Sequence, residues 1–324
     1  MGDLIVAKFG GTSVATAGSR QAAILQLARL RAEGKTVIAV VSAMGRKGAP
    51  YATDTLLSLL RSQADILIRD RLISCGETIS ACVLADELCA ADIPARPFTA
   101  ETAGIRTNNQ PGEADITEID TEKLSACLQD GILPVITGFQ GILPNREVTT
   151  LGRGGSDTSA VEIGGRMGAK EVLIFTDVPG VATADPRIWP EAPYRKSISY
   201  EDMGVLAKWG ASVIHPRAVA AGKRFGIPIQ VLSAREAGAG TLIGAVRKPE
   251  TGLIGAALRK DPPESVLTIL ARPFPAVPEA LLPEGAVCTR EAELLQIRIP
   301  EAAAAGTLRQ VCGFLQQKYS EDSL

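Results

Sequence analysis

An α/β fold with a mainly parallel sheet is what the sequence predicts, on three observations. Short, almost continuously apolar, β-rich runs recur along the chain, as expected for parallel strands covered on both faces. Helical stretches lie between them, so strand and helix alternate. Glycine makes up 32 of 324 residues while aromatics are only 4%, which suits tight strand–helix turns better than a stacking surface. In such a sheet a ligand sits at the carboxyl ends of the strands.

Residues 4–9 (LIVAKF) form the first run, closed by Gly10-Gly11. A helical stretch over 17–33 follows, apolar at Ile24, Leu27, Ala28 and Leu30 and ended by Gly34. Residues 36–42 (TVIAVVS) read as a buried strand, 44–51 (MGRKGAPY) as a loop, and 53–62 and 65–90 as two helices. Strands are expected again at 95–99, 132–138, 171–176 and 227–232, and helices at 121–130, 156–168, 199–210 and 216–225. The character changes after residue 244. Residues 248–251 (KPET) read as a linker, and six prolines fall within 261–287. Strands at 265–271 (SVLTILA) and 293–299 (ELLQIRI) then precede a helix over 301–318. The expected domains are 1–244 and a small α/β unit, 245–324.

Composition narrows the chemistry. Lys and Arg total 34 against 36 Asp and Glu, a net charge of −2, without the basic excess of a nucleic-acid binder. No apolar stretch approaches the ~18 residues of a membrane span. The apolar start lacks the basic flank and cleavage pattern of a signal peptide, so a cytoplasmic protein is expected. The one histidine, His215, excludes sites needing two, such as HExxH zinc chemistry. Six cysteines suit a reduced compartment. Cys75, Cys82 and Cys89 recur every seven residues. At ~1.5 Å rise per residue their sulfurs lie about 10 Å apart, too far for a disulfide or a shared metal. They are read as small buried hydrophobes.

Four segments stand out. In Lys8-Phe9-Gly10-Gly11-Thr12-Ser13 a lysine at a strand end precedes a glycine pair, two hydroxyls and a helix. Such a turn lets backbone N–H groups approach an anion; a tight turn with an exposed lysine explains it equally well. In residues 149–158 (TTLGRGGSDT) three glycines and several hydroxyls surround Arg153 and Asp157. Ser156 or Asp157 as a helix cap leaves Arg153 unexplained, whereas an Arg there suits bidentate binding of a carboxylate or phosphate. In residues 175–187 (FTDVPGVATADPR) a strand ends in Thr176-Asp177, a Pro-Gly turn follows, and a second turn carries Asp185 and Arg187. Thr176 and Asp177 stand where a nucleotide's sugar or base could be held, and Asp177 as a turn-former explains one residue but not the whole run. In Ser74-Cys75-Gly76-Glu77-Thr78 a Gly-Glu pair interrupts an apolar helical stretch. Glycine costs about 1 kcal/mol there, and such conflicts mark functional sites; a salt-bridged structural Glu is the alternative. Lys, Arg, Asp, hydroxyls and glycine loops without a catalytic histidine together suggest phosphoryl transfer, which runs on positioning and charge stabilisation.

These segments resemble the aspartokinases of the amino-acid kinase family. The matching runs are KFGGTSV (8–14), VVSAMG (40–45), SCGET (74–78), GIRT (104–107), ITGFQG (136–141), TTLGRGGSDTSA (149–160), FTDVPGVATADPR (175–187) and HPRAV (215–219), within residues 3–244. The run from Val40 to Leu60 looks most like the diaminopimelate-sensitive class of spore-forming bacteria. The resemblance implies a three-layer αβα sandwich that moves the ATP γ-phosphate, with Mg2+, onto the β-carboxylate of L-aspartate. The product, 4-phospho-L-aspartate, leads toward lysine and diaminopimelate, threonine and methionine. It implies that Lys8 stabilises the transferring phosphate, with Gly10, Gly11 and Thr12 around it. Ser42 stands at the phosphate side and Thr53 at the aspartate or phosphate side. Glu77 takes the substrate amino group and Arg153 its carboxylates. Asp157 orients Lys8, beside Gly154, Gly155 and Ser156, while Thr176, Asp177 and Arg187 hold the nucleotide. A homodimer or higher homo-oligomer is expected.

Two positions depart from the family pattern. Ser212 stands where many members carry a lysine that contacts the nucleotide, and Ala182 where an aromatic is common. His215, in the HPR turn, is expected to be structural. Members usually carry two ACT modules. Leu253–Lys260 (LIGAALRK) looks like the entry to one, and about one module's worth of chain follows. Weak or absent feedback inhibition is therefore expected. A kinase for another amino-acid carboxylate and a catalytically weak regulatory homologue are the competing readings.

Overall fold

The computed structural model describes residues 2–61, 64–235, 238–245 and 251–321. The linker expected at 248–251 lies, up to residue 250, outside the described residues. The chain divides into two compact units, Met1–Pro179 with Arg217–Gly240, and Gly180–Pro216 with Thr241–Leu324.

In chain order the elements begin with β1 (Leu4–Phe9), α1 (Ala17–Ala32), β2 (Thr36–Val41), α2 (Thr53–Leu57) and α3 (Ile66–Ala90). There follow β3 (Ala95–Phe98), β4 (Ile105–Thr107), β5 (Ile116–Ile119), α4 (Glu122–Gln129), β6 (Leu133–Thr137), β7 (Gln140–Ile142) and β8 (Val148–Thr150). Then come α5 (Gly155–Arg166), β9 (Glu171–Thr176), β10 (Ser197–Ser199), α6 (Tyr200–Lys208), α7 (Pro216–Phe225), β11 (Ile229–Ser233) and β12 (Thr241–Gly244). The chain closes with β13 (Gly252–Asp261), β14 (Glu264–Arg272), β15 (Val287–Glu291), β16 (Leu294–Pro300) and α8 (Glu301–Glu321).

The first unit holds a parallel sheet in the order β11-β9-β1-β2-β6-β3. Alternation along β1 sends Ile5, Ala7 and Phe9 into one apolar layer with Ala23, Ile24 and Leu27 of α1 and Ala81, Leu84 and Leu88 of α3. Val6 and Lys8 point to the other face, where α5 packs. Helix α7 joins α5 there: a Cβ on Gly165 would overlap the Phe225 ring. Two helical layers therefore enclose the sheet, as the resemblance implies. The registers align Phe175, Phe9, Val41 and Thr137 in one row. Gly10, Ser42 and Gly138 continue that ladder, donating to the carbonyls of Phe175 (3.2 Å), Phe9 (3.1 Å) and Val41 (3.0 Å). Loops from four strands thus leave the sheet at one edge. A smaller sheet, β5-β4-β7-β8, adjoins α3 through β8.

In the second unit β10 and β12 pair in parallel. Strands β13-β14-β16-β15 form an antiparallel sheet. Helix α8 covers it with Leu308, Val311, Cys312 and Leu315 against Leu267, Ile269, Leu295 and Ile297. The proline-rich stretch between β14 and β15 contains one 3-10 turn, Glu279–Leu281.

Two expectations need correction. The helix over 53–62 ends at Leu57: beyond it Leu59 and Leu60 donate to carbonyls three residues back, a tighter turn that does not continue the α-helix. Cys75, Cys82 and Cys89 are exposed, not buried. Their seven-residue stripe is the solvent face of α3, and Ile73, Leu84 and Leu88 supply its buried face. Cys127 and Cys312 are buried.

Candidate active site

Lys8 is the penultimate residue of β1 and only 8% exposed. Its Nζ lies 2.6 Å from Oδ1 of Asp157, the third residue of α5. The ion pair forms because β1 turns Lys8 toward the layer that α5 occupies. A Cβ added to Gly10 would lie 3.5 Å from the same Nζ, so the ammonium folds back over the glycine turn. Thr12 follows in a 3-10 turn, Gly11–Ser13. Gly45 of the next loop donates to the Gly11 carbonyl at 2.9 Å.

Helix α5 opens at Gly154, whose φ of 68° is left-handed, with no side-chain cap. The capping alternative for Ser156 and Asp157 is thereby removed. An uncapped helix start leaves N–H groups and the positive end of the dipole available to an anion. Arg153 is exposed on the turn just before it. Ser156 is buried in the first turn of α5.

Glu77 sits inside α3, 2% exposed. Its Oε1 accepts the Ala43 N–H at 2.9 Å, while Oε2 has no hydrogen-bond partner among the described residues. Burial raises its pKa to about 8. The salt-bridge alternative therefore fails. Gly76 explains itself by close approach: a Cβ there would lie 2.7 Å from the Tyr51 carbonyl and 2.8 Å from the Ala43 side chain. The glycine lets the 43–51 loop seat on the helix beside Glu77. That loop follows Ser42 and leads to Thr53, which is half-buried at the start of α2.

Thr176 and Asp177 follow β9. The Thr176 hydroxyl donates to Asp177 Oδ1 at 3.2 Å. Arg46 pairs with Asp177 Oδ2 at 2.6 Å. Sequence reasoning missed Arg46, although a basic pair inside the glycine-flanked GRKG was a usable signal. It also missed Asp70, a carboxylate in an apolar helical stretch seven residues before Glu77 and so on the same face. Arg187 lies in the second unit, paired with Asp185 at 2.6 Å. Also there, Ser212 is exposed, and Ala182 forms an isolated bridge with Tyr194, an aromatic residue across from the position that departs from the family pattern.

The first unit thus gathers, at one sheet edge, a buried lysine–aspartate pair, two glycine turns, an uncapped helix start and a protonatable carboxylate. Such a set can hold phosphates and a small zwitterion. The model of the amino acid kinase family matches residues 3–233. Aspartokinase 1 of Bacillus subtilis (strain 168) is 42% identical over 252 residues, 77% of this chain and 62% of that protein. An aspartokinase of Thermus thermophilus is 39% identical over 262 residues, 80% of this chain and 64% of that protein. The chain thus spans somewhat under two thirds of the curated relatives it matches. Aspartokinase III of E. coli, crystallised with aspartate and ADP, superposes with a TM-score of 0.70 at 24% identity, over 94% of this chain and 80% of that one. That likeness concerns the fold. With the family model spanning most of its length, the chain belongs to the amino acid kinase family.

Proposed function

We propose that the chain is an aspartate kinase, transferring the γ-phosphoryl group of ATP to the β-carboxylate of L-aspartate. The observation that carries this reading is the Lys8–Asp157 pair seated between the Gly10-Gly11 turn and the uncapped start of α5. A carboxylate oxygen attacks the γ-phosphorus, the bond to the bridging oxygen breaks, and ADP leaves with that electron pair. The acceptor is already ionised, so no base is required, and catalysis rests on positioning and charge stabilisation. Lys8 balances the charge on the transferring group, and Asp157 holds Lys8 in place. Gly10, Gly11, Thr12, Ser42, Gly154, Gly155 and Ser156 surround the phosphates. Thr176 and Asp177 take the nucleotide. Glu77, ionised by the approaching ammonium, takes the substrate amino group. Arg153 takes its carboxylates, and Thr53 stands nearby.

No group of three or more acidic, histidine or cysteine side chains gathers to cage a metal among the described residues. Mg2+ would arrive with the nucleotide, since that ion retains water and needs only one or two carboxylates beside substrate phosphates. Asp157 is the carboxylate available there; the ion, when bound, neutralises phosphate charge. Functionally, residues 1–244 form the kinase domain and 245–324 an ACT-like regulatory or dimerisation unit, within a cytoplasmic homo-oligomer. No helix of the described residues is long and apolar enough to cross a membrane.

A hydroxamate assay with ATP, Mg2+ and aspartate tests the reading. Wild type forms aspartyl hydroxamate, and Lys8→Ala loses at least ~100-fold in kcat. Arg153→Ala raises the KM for aspartate at least tenfold more than that for ATP. Absence of product, or a preference for glutamate, would overturn the assignment.

A further inference from the structure

We infer that Asp70 and Arg217 form a two-sided clamp that positions the Arg153 loop, and through it the acceptor site of the proposed reaction. Arg153 stands between two glycines, Gly152 (φ 73°) and Gly154 (φ 68°). Two left-handed glycines flanking one residue give the loop little stiffness of its own. Its placement depends on its anchors. On the far side the anchor is α5. On the near side it is Thr150 and Leu151, and both are held by charged side chains from outside the loop.

Asp70 is fully buried in α3. Its Oδ2 accepts the Thr150 N–H at 2.7 Å and the Gly112 N–H at 2.8 Å, and its Oδ1 accepts the Thr150 hydroxyl at 2.8 Å. Arg217, of the HPR turn, donates from Nη1 to the Leu151 carbonyl at 2.6 Å and from Nη2 to the Ala114 carbonyl and the Asp115 carboxylate. Ala114 in turn donates to the Thr150 carbonyl at 2.9 Å. Segments 112–115 and 150–151 are therefore stitched together, with an anion gripping N–H groups on one side and a cation gripping carbonyls on the other. Asp70 also shares its helix face with Glu77, seven residues on. The loop that carries Arg153 and the carboxylate assigned to the substrate amino group are thus referenced to one rigid element. Acceptor geometry is sensitive to shifts of about 1 Å, so slackening the clamp disturbs aspartate more than ATP.

The experiment compares Asp70→Ala, Asp70→Asn, Arg217→Ala and the double alanine variant. In Asp70→Asn the side-chain amide oxygen can accept both N–H groups while the amide nitrogen donates to the Thr150 hydroxyl, so this variant keeps the clamp. Asp70→Ala is expected to raise the KM for aspartate at least tenfold and that for ATP less than threefold, with Asp70→Asn within threefold of wild type for both. The double variant should lose less than the product of the two single losses, as coupled residues do. Hydrogen exchange on the same proteins should show faster exchange over residues 112–115 and 150–155 in both alanine variants but not in Asp70→Asn. Equal rises in both KM values, or exchange unchanged in the alanine variants, would overturn the clamp. The inference rests on the proposed aspartate kinase reading for its kinetic arm only. If wild type makes no aspartyl phosphate, that reading falls, and exchange, which needs no substrate, still decides the clamp.

Discussion

The two units treat buried charge in opposite ways. In the second, Asp202 is buried, and the Arg272 guanidinium occupies both of its carboxylate oxygens, at 2.9 and 2.6 Å. Arg272 also pairs with Glu293, and these partners hold its pKa above the usual arginine value. In the first unit Glu77 is as deeply buried, yet only one of its oxygens is engaged. A saturated buried charge fastens packing, as Asp202 does between α6 and β14. A half-saturated one is costly and persists where a ligand completes it. Saturation, rather than burial, separates Asp202 from Glu77, the carboxylate proposed to take the substrate amino group.

The largest test of that contrast is Arg272→Ala, which strands Asp202 and is expected to cost about 3–5 kcal/mol in chemical denaturation. Replacing both partners, Asp202→Leu with Arg272→Met, should recover most of the loss, because apolar side chains of similar volume substitute well for a buried pair. Glu77→Gln should behave oppositely. It keeps an acceptor for the Ala43 N–H and removes a buried acid, so the thermal midpoint stays level or rises while the KM for aspartate increases at least tenfold. A midpoint drop as large as that of Arg272→Ala would erase the distinction.

The third test uses pH. The Glu77 pKa stands at about 8 in the folded chain, against an ordinary value of 4.5. Between those values the folded form binds a proton that the unfolded form has lost, so this group's contribution to stability declines as pH rises from 4.5 toward 8. An ammonium arriving at Glu77 favours the carboxylate and expels the proton. Calorimetry at about pH 7 in buffers of different ionisation enthalpy should detect close to one proton released per aspartate bound, and none in Glu77→Gln. The smallest effect is expected for Asp177→Asn. It breaks an exposed pair with Arg46, worth at most ~1 kcal/mol, and should leave the denaturation midpoint nearly unchanged while raising the KM for ATP a few-fold.

Much of this was legible in the chain. The long apolar runs at 4–9, 36–42 and 171–176 carry a strong strand signal, and each became a strand of the parallel sheet. Lys8 and Asp157 were singled out because glycines crowd around them, and the fold joins them. What escaped has physical reasons. Strands β4, β7, β8 and β10 are three residues each, too short for a period to declare itself. Strand β15 is exposed along its length and has no apolar face to see. The α3 cysteines have a regular spacing that fits a buried stripe and a solvent stripe equally well; only the rest of the helix decides between them. Asp70 and Arg217 act through backbone groups distant in sequence, and no local pattern announces such partners.

The exposed cysteines carry a consequence of their own. Cys75 and Cys82 lie on the opposite side of α3 from Asp70 and Glu77, so a thiol-reactive fluorophore placed there touches neither. It would report from behind the helix on events at its inner face, in a chain whose Cys127 and Cys312 are buried and slow to react. With Cys75, Cys89 and the exposed Cys288 replaced by serine, a single label at Cys82 would turn this helix into an optical gauge of acceptor binding.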